Sequence, residues 1–231
     1  MKKAIFLFSC LLLTMLLLRW YGRQPNGALL LSTLSHVDQQ DSVLCLTFDD
    51  GPSAHLTPPL LELLAQLEVP AVFFVNGNKV EAHADIARDI LRQGHQLANH
   101  SYQHDRMVWK WPADIEADLS RTDQLIRQAG SEDSRFFRPP YGDSFLSLPI
   151  VLHRMRKQYV GWSIEAKAQY DSPFSTQKVV DQTISQLQPG GIILLHDGWH
   201  RETTEFLQAV RQIVEQSRQE GYHFVPLSIP H

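Results

Sequence analysis

A chain of 231 residues, 43% hydrophobic and 20% charged, suits one globular domain of ordinary size, large enough for a real core. Its formal charge of −4, with no basic block, argues against nucleic acid as a partner. The two cysteines, Cys10 and Cys45, fall in an N-terminal apolar run and in a predicted buried strand, so no disulfide is expected.

In chain order, Lys2 and Lys3 precede an apolar run over 4–18, followed by Arg19, Trp20 and Tyr21. At about 1.5 Å per helical residue, that run is shorter than a hydrocarbon core of about 30 Å. Interfacial Trp20 and Tyr21 with a snorkelling Arg19 extend it to a marginal span. No small-x-small cleavage site follows Leu18, so 1–23 reads as an uncleaved membrane anchor, with a cleaved signal peptide as the alternative. Residues 24–41 read as a tether: Gln24-Pro25-Asn26-Gly27 is a turn, 29–31 a short apolar patch and 35–42 polar. From residue 42, short apolar strands alternate with amphipathic helices, the rhythm of a parallel sheet or barrel. Strands are predicted at 43–48, 71–75, 96–98, 136–137, 159–163, 192–195 and 224–227. Helices are predicted from Pro58 behind a Thr57 cap, then over 80–93, 112–129, 176–187 and 204–219.

Polar candidates fall just after the strands, the catalytic end of such folds. The first strand ends in Asp49-Asp50-Gly51-Pro52. Adjacent strand residues point to opposite faces, but at a strand end the backbone can turn both acids into one cleft. Two acids that close need a cation or a proton between them. His100-Ser101-Tyr102-Gln103-His104 places two imidazoles four residues apart, the spacing that brings both to one face of a helical turn. Two histidines and one aspartate with open positions form a typical hydrolytic metal site. Arg138-Pro139-Pro140-Tyr141-Gly142 follows an aromatic strand, and its arginine could pair with an acid. Leu194-Leu195-His196-Asp197 puts a histidine at another strand end. Taken singly, each also fits a bland role: a solvated strand exit, a core histidine or a tight turn.

Taken together, Thr47-Phe48-Asp49-Asp50-Gly51, the His100 and His104 pair, the Arg138 loop and the His196 strand end resemble the polysaccharide deacetylase family. This is the NodB-homology domain of carbohydrate esterase family 4, and the resemblance covers about residues 42–227. It implies an α/β fold, a distorted (β/α) barrel of fewer than eight strands, here behind an N-terminal apolar helix, with the catalytic domain over 42–231. It also implies that Asp50, His100 and His104 hold a divalent metal, most often zinc. Asp49 would be the general base, oriented by Arg138, and His196 the general acid. Tyr141 would offer its backbone N–H to the oxyanion, and Leu195 would line the acetyl pocket. The implied reaction is acetamide hydrolysis, in which the metal polarises the carbonyl, Asp49 takes a proton from water and His196 protonates the departing amine.

One family motif is degraded. Two aspartates and a tryptophan belong near the strand after the Arg138 loop, and here the region runs from Trp162 to Asp171. Aligned by position, Glu165 stands at the first acid, Ala168 at the second and Gln169 at the tryptophan. The second acid normally supports the catalytic histidine, so His196 lacks that partner unless Glu165 or Asp171 substitutes; Tyr170 is a candidate replacement aromatic. The resulting expectation is a monomeric deacetylase of N-acetylglucosamine units in an envelope or exported polysaccharide, tethered to the membrane outside the cytoplasm. An O-acetyl esterase, which needs less acid help, and a non-catalytic glycan-binding module are the alternatives.

Overall fold

The computed structural model describes residues 2–21, 32–37, 42–200 and 202–228. Helix α1 (Lys2–Tyr21) precedes β1 (Thr33–Leu34), β2 (Val43–Gly51), α2 (Thr57–Leu67) and β3 (Ala71–Val75). Then come α3 (Gly77–Ala82), α4 (Ala84–Arg92), β4 (Gln96–Asn99), α5 (Pro112–Ala129), β5 (Phe136–Phe137) and α6 (Ser147–Arg154). The chain continues through β6 (Gln158–Val160), β7 (Ile164–Glu165), α7 (Thr176–Ile184), β8 (Gly191–His196), α8 (Thr203–Gln219) and β9 (His223–Phe224).

The strands are paired in parallel in the order β1-β6-β5-β4-β3-β2-β8-β7, with β9 also on β2. Parallel neighbours need crossovers, and the helices between the strands supply most of them. The sheet curls until His36, just past β1, bridges Gly191 at the start of β8, and Val37 N–H donates to the Gly190 carbonyl at 2.8 Å. The outcome is a distorted (β/α) barrel.

Strand alternation sorts the side chains. Leu44, Leu46 and Phe48 of β2, with Ile193 and Leu195 of β8, face outward into a core shared with α2 and α8. Cys45, Ile192, Val72 and Phe74 fill the barrel interior. The inward face of β2 therefore reads Cys45, Thr47, Asp49 from floor to mouth. Cys10 and Cys45 are both free thiols, and burial pushes the Cys45 thiol up to about 12.

Several elements differ from expectation. The helix expected over 80–93 is two, broken at His83 (φ −133°, ψ 51°), and it starts early because Gly77 and Asn78 N–H groups donate to the Ser101 and Tyr102 carbonyls. Thr57 is not a cap: its Oγ1 accepts from the Ser53 N–H at 2.8 Å and donates to Asp197 at 2.5 Å. Helix α6 was hidden by Pro149, which sits in its first turn where a missing N–H costs nothing. The tether is shorter than expected, since Leu34 and Val37 are buried and β1 pairs with β6, so the folded unit begins ahead of residue 42. The turn at 24–27 and the patch at 29–31 lie outside the described residues. Helix α1 forms, with exposed apolar side chains and Arg19 ion-paired to Asp143 at 2.5 Å. The membrane span expected over 1–23 gains no structural support: among the described residues, no helix is long and apolar enough to cross a membrane.

Candidate active site

The two acids reach one cleft through a backbone irregularity. The register of β2 on β3 slips between Asp49 and Gly51, and Asp50 has φ 70°. Regular alternation would aim Asp50 outward at the helices; the slip and the left-handed residue re-aim it. Gly51 is required next, because a Cβ there would overlap the buried Asp197 carboxylate. Lys79 Nζ then donates to the carbonyls of Asp50 (2.5 Å) and Gly198 (3.0 Å), tying the ends of two loops together.

His100 and His104 do not share a helical turn. They sit on a loop after β4, where Ser101 (φ 70°) and His104 (φ 61°) are left-handed and Ser101 Oγ accepts from the His104 N–H at 3.0 Å. The fold still brings the rings together, with centroids 5.0 Å apart. His100 Nδ1 lies 2.7 Å from the Arg138 carbonyl, so Nδ1 donates there and Nε2 is the ring atom turned toward the acids. That Nε2 and His104 Nε2 lie 3.4 Å and 3.1 Å from Asp50 Oδ1.

This arrangement fits a divalent cation. Ligand atoms of Asp50, His100 and His104 lie within 4.8 Å of one another, and Asp50 Oδ1 is buried without a hydrogen-bond partner. One carboxylate and two imidazoles are the donor set that zinc and its first-row neighbours prefer. Burial disfavours the charge on Asp50, but the adjacent His100, together with His196 and His104, outweighs it and holds the carboxyl well below its usual range. Burial, with the His100 charge adding to it, pushes His104 down to about 4, leaving it unprotonated at neutral pH.

Asp49 is held from beneath. Arg138 is fully buried; its Nη1 donates to Asp49 Oδ1 at 2.6 Å and to Thr47 Oγ1 at 2.9 Å, and its Nη2 to the Gly161 carbonyl at 2.9 Å. The guanidinium also lies 4.0 Å above the Phe74 ring. A rigid fork with every arm engaged fixes the carboxylate's direction.

His196 ends β8, in register with Asp49. Its Nδ1 lies 2.9 Å from Gln169 Oε1, a partner absent from the sequence reading. Burial pushes the His196 imidazole down, against Asp49 and Asp50, which push it up. Neither expected substitute reaches it. Glu165 accepts from Trp162 Nε1 (3.1 Å) and the Tyr170 hydroxyl (3.0 Å) and pairs with Lys167, while Asp171 faces Lys178 at 4.0 Å. Ala168, aligned to the second acid, is packed in the outer core.

Leu195 is a further correction. It packs in the outer core on the face opposite His196, and Leu194 lines the cleft instead. Tyr141 (φ 62°) sets its ring 4.6 Å from His104, with Arg106 over it at 4.1 Å. Tyr170 does line the cleft, stacked on Trp199 at 5.8 Å, and both rings flank His196. Trp199 carried no sequence signal, because nothing local marks a ring that closes a wall with a residue from another loop. The open cleft holds about 550 Å³.

The sequence model of the polysaccharide deacetylase family matches residues 36–158, a span that contains Asp49, Asp50, both loop histidines and Arg138. A chitooligosaccharide deacetylase of Sinorhizobium fredii is 35% identical over 154 residues, covering 66% of this chain and 71% of the relative. The crystal structure of a peptidoglycan N-acetylglucosamine deacetylase superposes with a TM-score of 0.79 at 25% identity, covering 84% of this chain and 90% of that one. A family 4 acetyl xylan esterase from Clostridium thermocellum, solved with a cobalt ion, gives a TM-score of 0.72 at 29% identity over 80% of this chain and 87% of that one. Sequence and fold point the same way as the cleft chemistry, and the chain belongs to the polysaccharide deacetylase family.

Proposed function

We propose that this chain removes N-acetyl groups from N-acetylglucosamine units of a cell-envelope or exported polysaccharide, using zinc held by Asp50, His100 and His104. The observation that carries the reading is Asp50 Oδ1, buried without a hydrogen bond, within reach of two imidazoles and next to the Asp49–Arg138 pair. The names of the relatives supply the substrate class, and the cobalt in one of them accords with a divalent ion.

When bound there, a divalent cation would polarise the acetyl carbonyl and acidify a water. Asp49, fixed by Arg138, takes the proton from the attacking water. The Tyr141 backbone N–H would donate to the oxygen on which negative charge develops, the role the family resemblance gives it. His196 gives its Nε2 proton to the leaving nitrogen, without which an amine does not depart. Tyr170 and Trp199 offer a flat aromatic surface to a sugar ring.

We place the catalytic domain outside the cytoplasm, where such polymers lie, delivered by the N-terminal apolar segment either as an anchor or as a cleaved signal, and working as a monomer. N-terminal sequencing of the mature protein separates anchor from signal. Acetate release from chitin oligomers and from acetyl-xylan, with and without a chelator, tests the function. Release that stops with chelator and returns with zinc supports the reading; no release from either polymer refutes it. Deacetylation of acetyl-xylan alone would favour an O-acetyl esterase, a second reading motivated by the uncharged partner of His196.

A further inference from the structure

We infer that Gln169 is a positioning and specificity-determining residue: it fixes the tautomer of His196 and, being uncharged, narrows the advantage of N-acetyl over O-acetyl groups. The inference rests on the deacetylase reading above. Gln169 Oε1 lies 2.9 Å from His196 Nδ1, and Gln169 Nε2 donates to the Leu194 carbonyl at 3.3 Å. The second contact sets the direction of the amide, since a flipped amide would press its oxygen against that carbonyl. Oriented this way, Gln169 can only accept from Nδ1. The ring therefore carries a proton on Nδ1 in both charge states, and Nε2 is the atom that gains and gives the mobile one. Gln169 is 1% exposed and His196 9%, so water is a poor replacement for this bond.

The missing charge has a chemical consequence. When the C–N bond of the tetrahedral adduct breaks, its electron pair passes to nitrogen, which takes the proton from His196 Nε2 and leaves the imidazole neutral. When a C–O bond breaks, the pair passes to oxygen, and an alkoxide can leave with its proton arriving later. Amide cleavage thus depends more steeply on the imidazolium. A carboxylate against Nδ1 would stabilise that cation; an amide oxygen does so far less. The other groups facing the ring are mixed in sign: Asp49 and Asp50 favour its positive form, His100 and Arg138 oppose it, and Tyr170 and Trp199 are uncharged rings packed against it, while Gln169 holds Nδ1.

The test compares the full chain, loaded with zinc, as wild type, Gln169→Glu and Gln169→Leu, on chitin oligomers and on acetyl-xylan. Gln169→Glu is expected to raise the amide-to-ester kcat ratio about tenfold and to move the alkaline limb of the amide pH profile upward. Gln169→Leu is expected to lower kcat on the amide about tenfold or more, with KM within about twofold. Equal zinc binding by the variants verifies that the ligand cluster is intact. An unchanged ratio in Gln169→Glu, or wild-type kcat in Gln169→Leu, overturns the inference. A readout independent of turnover is the ¹⁵N spectrum of histidine-labelled protein, where His196 should carry its proton on Nδ1 in wild type and lose that preference in Gln169→Leu. A bare Nδ1 in wild type refutes the role of Gln169 even if acetate is released. A protonated Nδ1 with no acetate from either polymer refutes the deacetylase reading while the tautomer assignment stands. If Gln169→Glu fails to fold beside the Leu194 carbonyl, the leucine variant and the spectrum decide.

Discussion

Replacing Arg138 with methionine tests the support beneath the Asp49 carboxylate, the proposed base. Arg138 is wholly buried and Asp49 is 3% exposed, so the substitution keeps the side-chain volume while removing the cation from a closed site. It deletes donors to Asp49, Thr47, Gly161 and Val160. Breaking a buried pair by removing one partner costs about 3–5 kcal/mol, because the remaining charge is uncompensated. With a urea slope of about 2 kcal/mol/M, a loss of ~4 kcal/mol would lower the unfolding midpoint by roughly 2 M. Asp49→Asn added to Arg138→Met removes the stranded charge and should recover part of that loss, giving a coupling energy of about 1–3 kcal/mol in a double-mutant cycle. Acetate release should vanish in both single variants. Asparagine cannot accept the proton, and without Arg138 the Asp49 carboxylate loses the donor that aims it. Urea melts followed by circular dichroism give the energies. A loss below about 1 kcal/mol, or single effects that add within about 0.5 kcal/mol, would refute the buried-pair account.

Three further outcomes are expected. Burial holds the His95 imidazole down to about 4, so the unfolded chain takes up that proton first as pH falls. The His95 share of the stability should be constant above about pH 6.5 and fall by up to about 3 kcal/mol toward pH 4. His95→Asn should remove that share of the acid slope in melts across pH, while His104 and His200, also pushed down to about 4, keep theirs. Gly51→Ala should cost about 1–3 kcal/mol and weaken zinc binding, since its Cβ would overlap the Asp197 carboxylate beside Asp50; wild-type zinc titrations would show that the contact gives way harmlessly. Leu195→Ala should cost about 2–5 kcal/mol with KM unchanged, as a core truncation does, whereas a shifted KM would return Leu195 to the acetyl pocket.

The parts of the site that depend on residue type and strand rhythm were legible in the sequence. An apolar run ending in two acids gave β2, and the four motifs gave the cluster, because burial and ligand chemistry are written into side-chain identity. Backbone handedness was not. Asp50, Ser101 and His104 all adopt positive φ, and none is a glycine that would have marked the position. A four-residue spacing between histidines therefore suited a helical turn as well as the loop that forms. Gln169 was missed for two reasons. It meets His196 across 27 residues, and it lies in a 3-10 turn over Lys167–Tyr170, where a slip of one position rotates a side chain by about a third of a turn. Ala168, aligned by position to the second acid, packs in the outer core, and its neighbour Gln169 reaches the ring. Leu195 illustrates the opposite failure: strand parity places Leu194, not Leu195, on the side of His196, so the residue implied by the resemblance faces the outer core.

Both acids ride on a strand bonded on its two sides by β3 and β8, whereas Tyr141, Tyr170 and Trp199 stand about half exposed on connecting segments. On the proposed function, bond-breaking falls to a strand paired on both sides and polymer contact to exposed loop rings. A descendant could come to accept a different sugar chain by exchanging a few rim rings, while the ion-holding frame passed through unaltered.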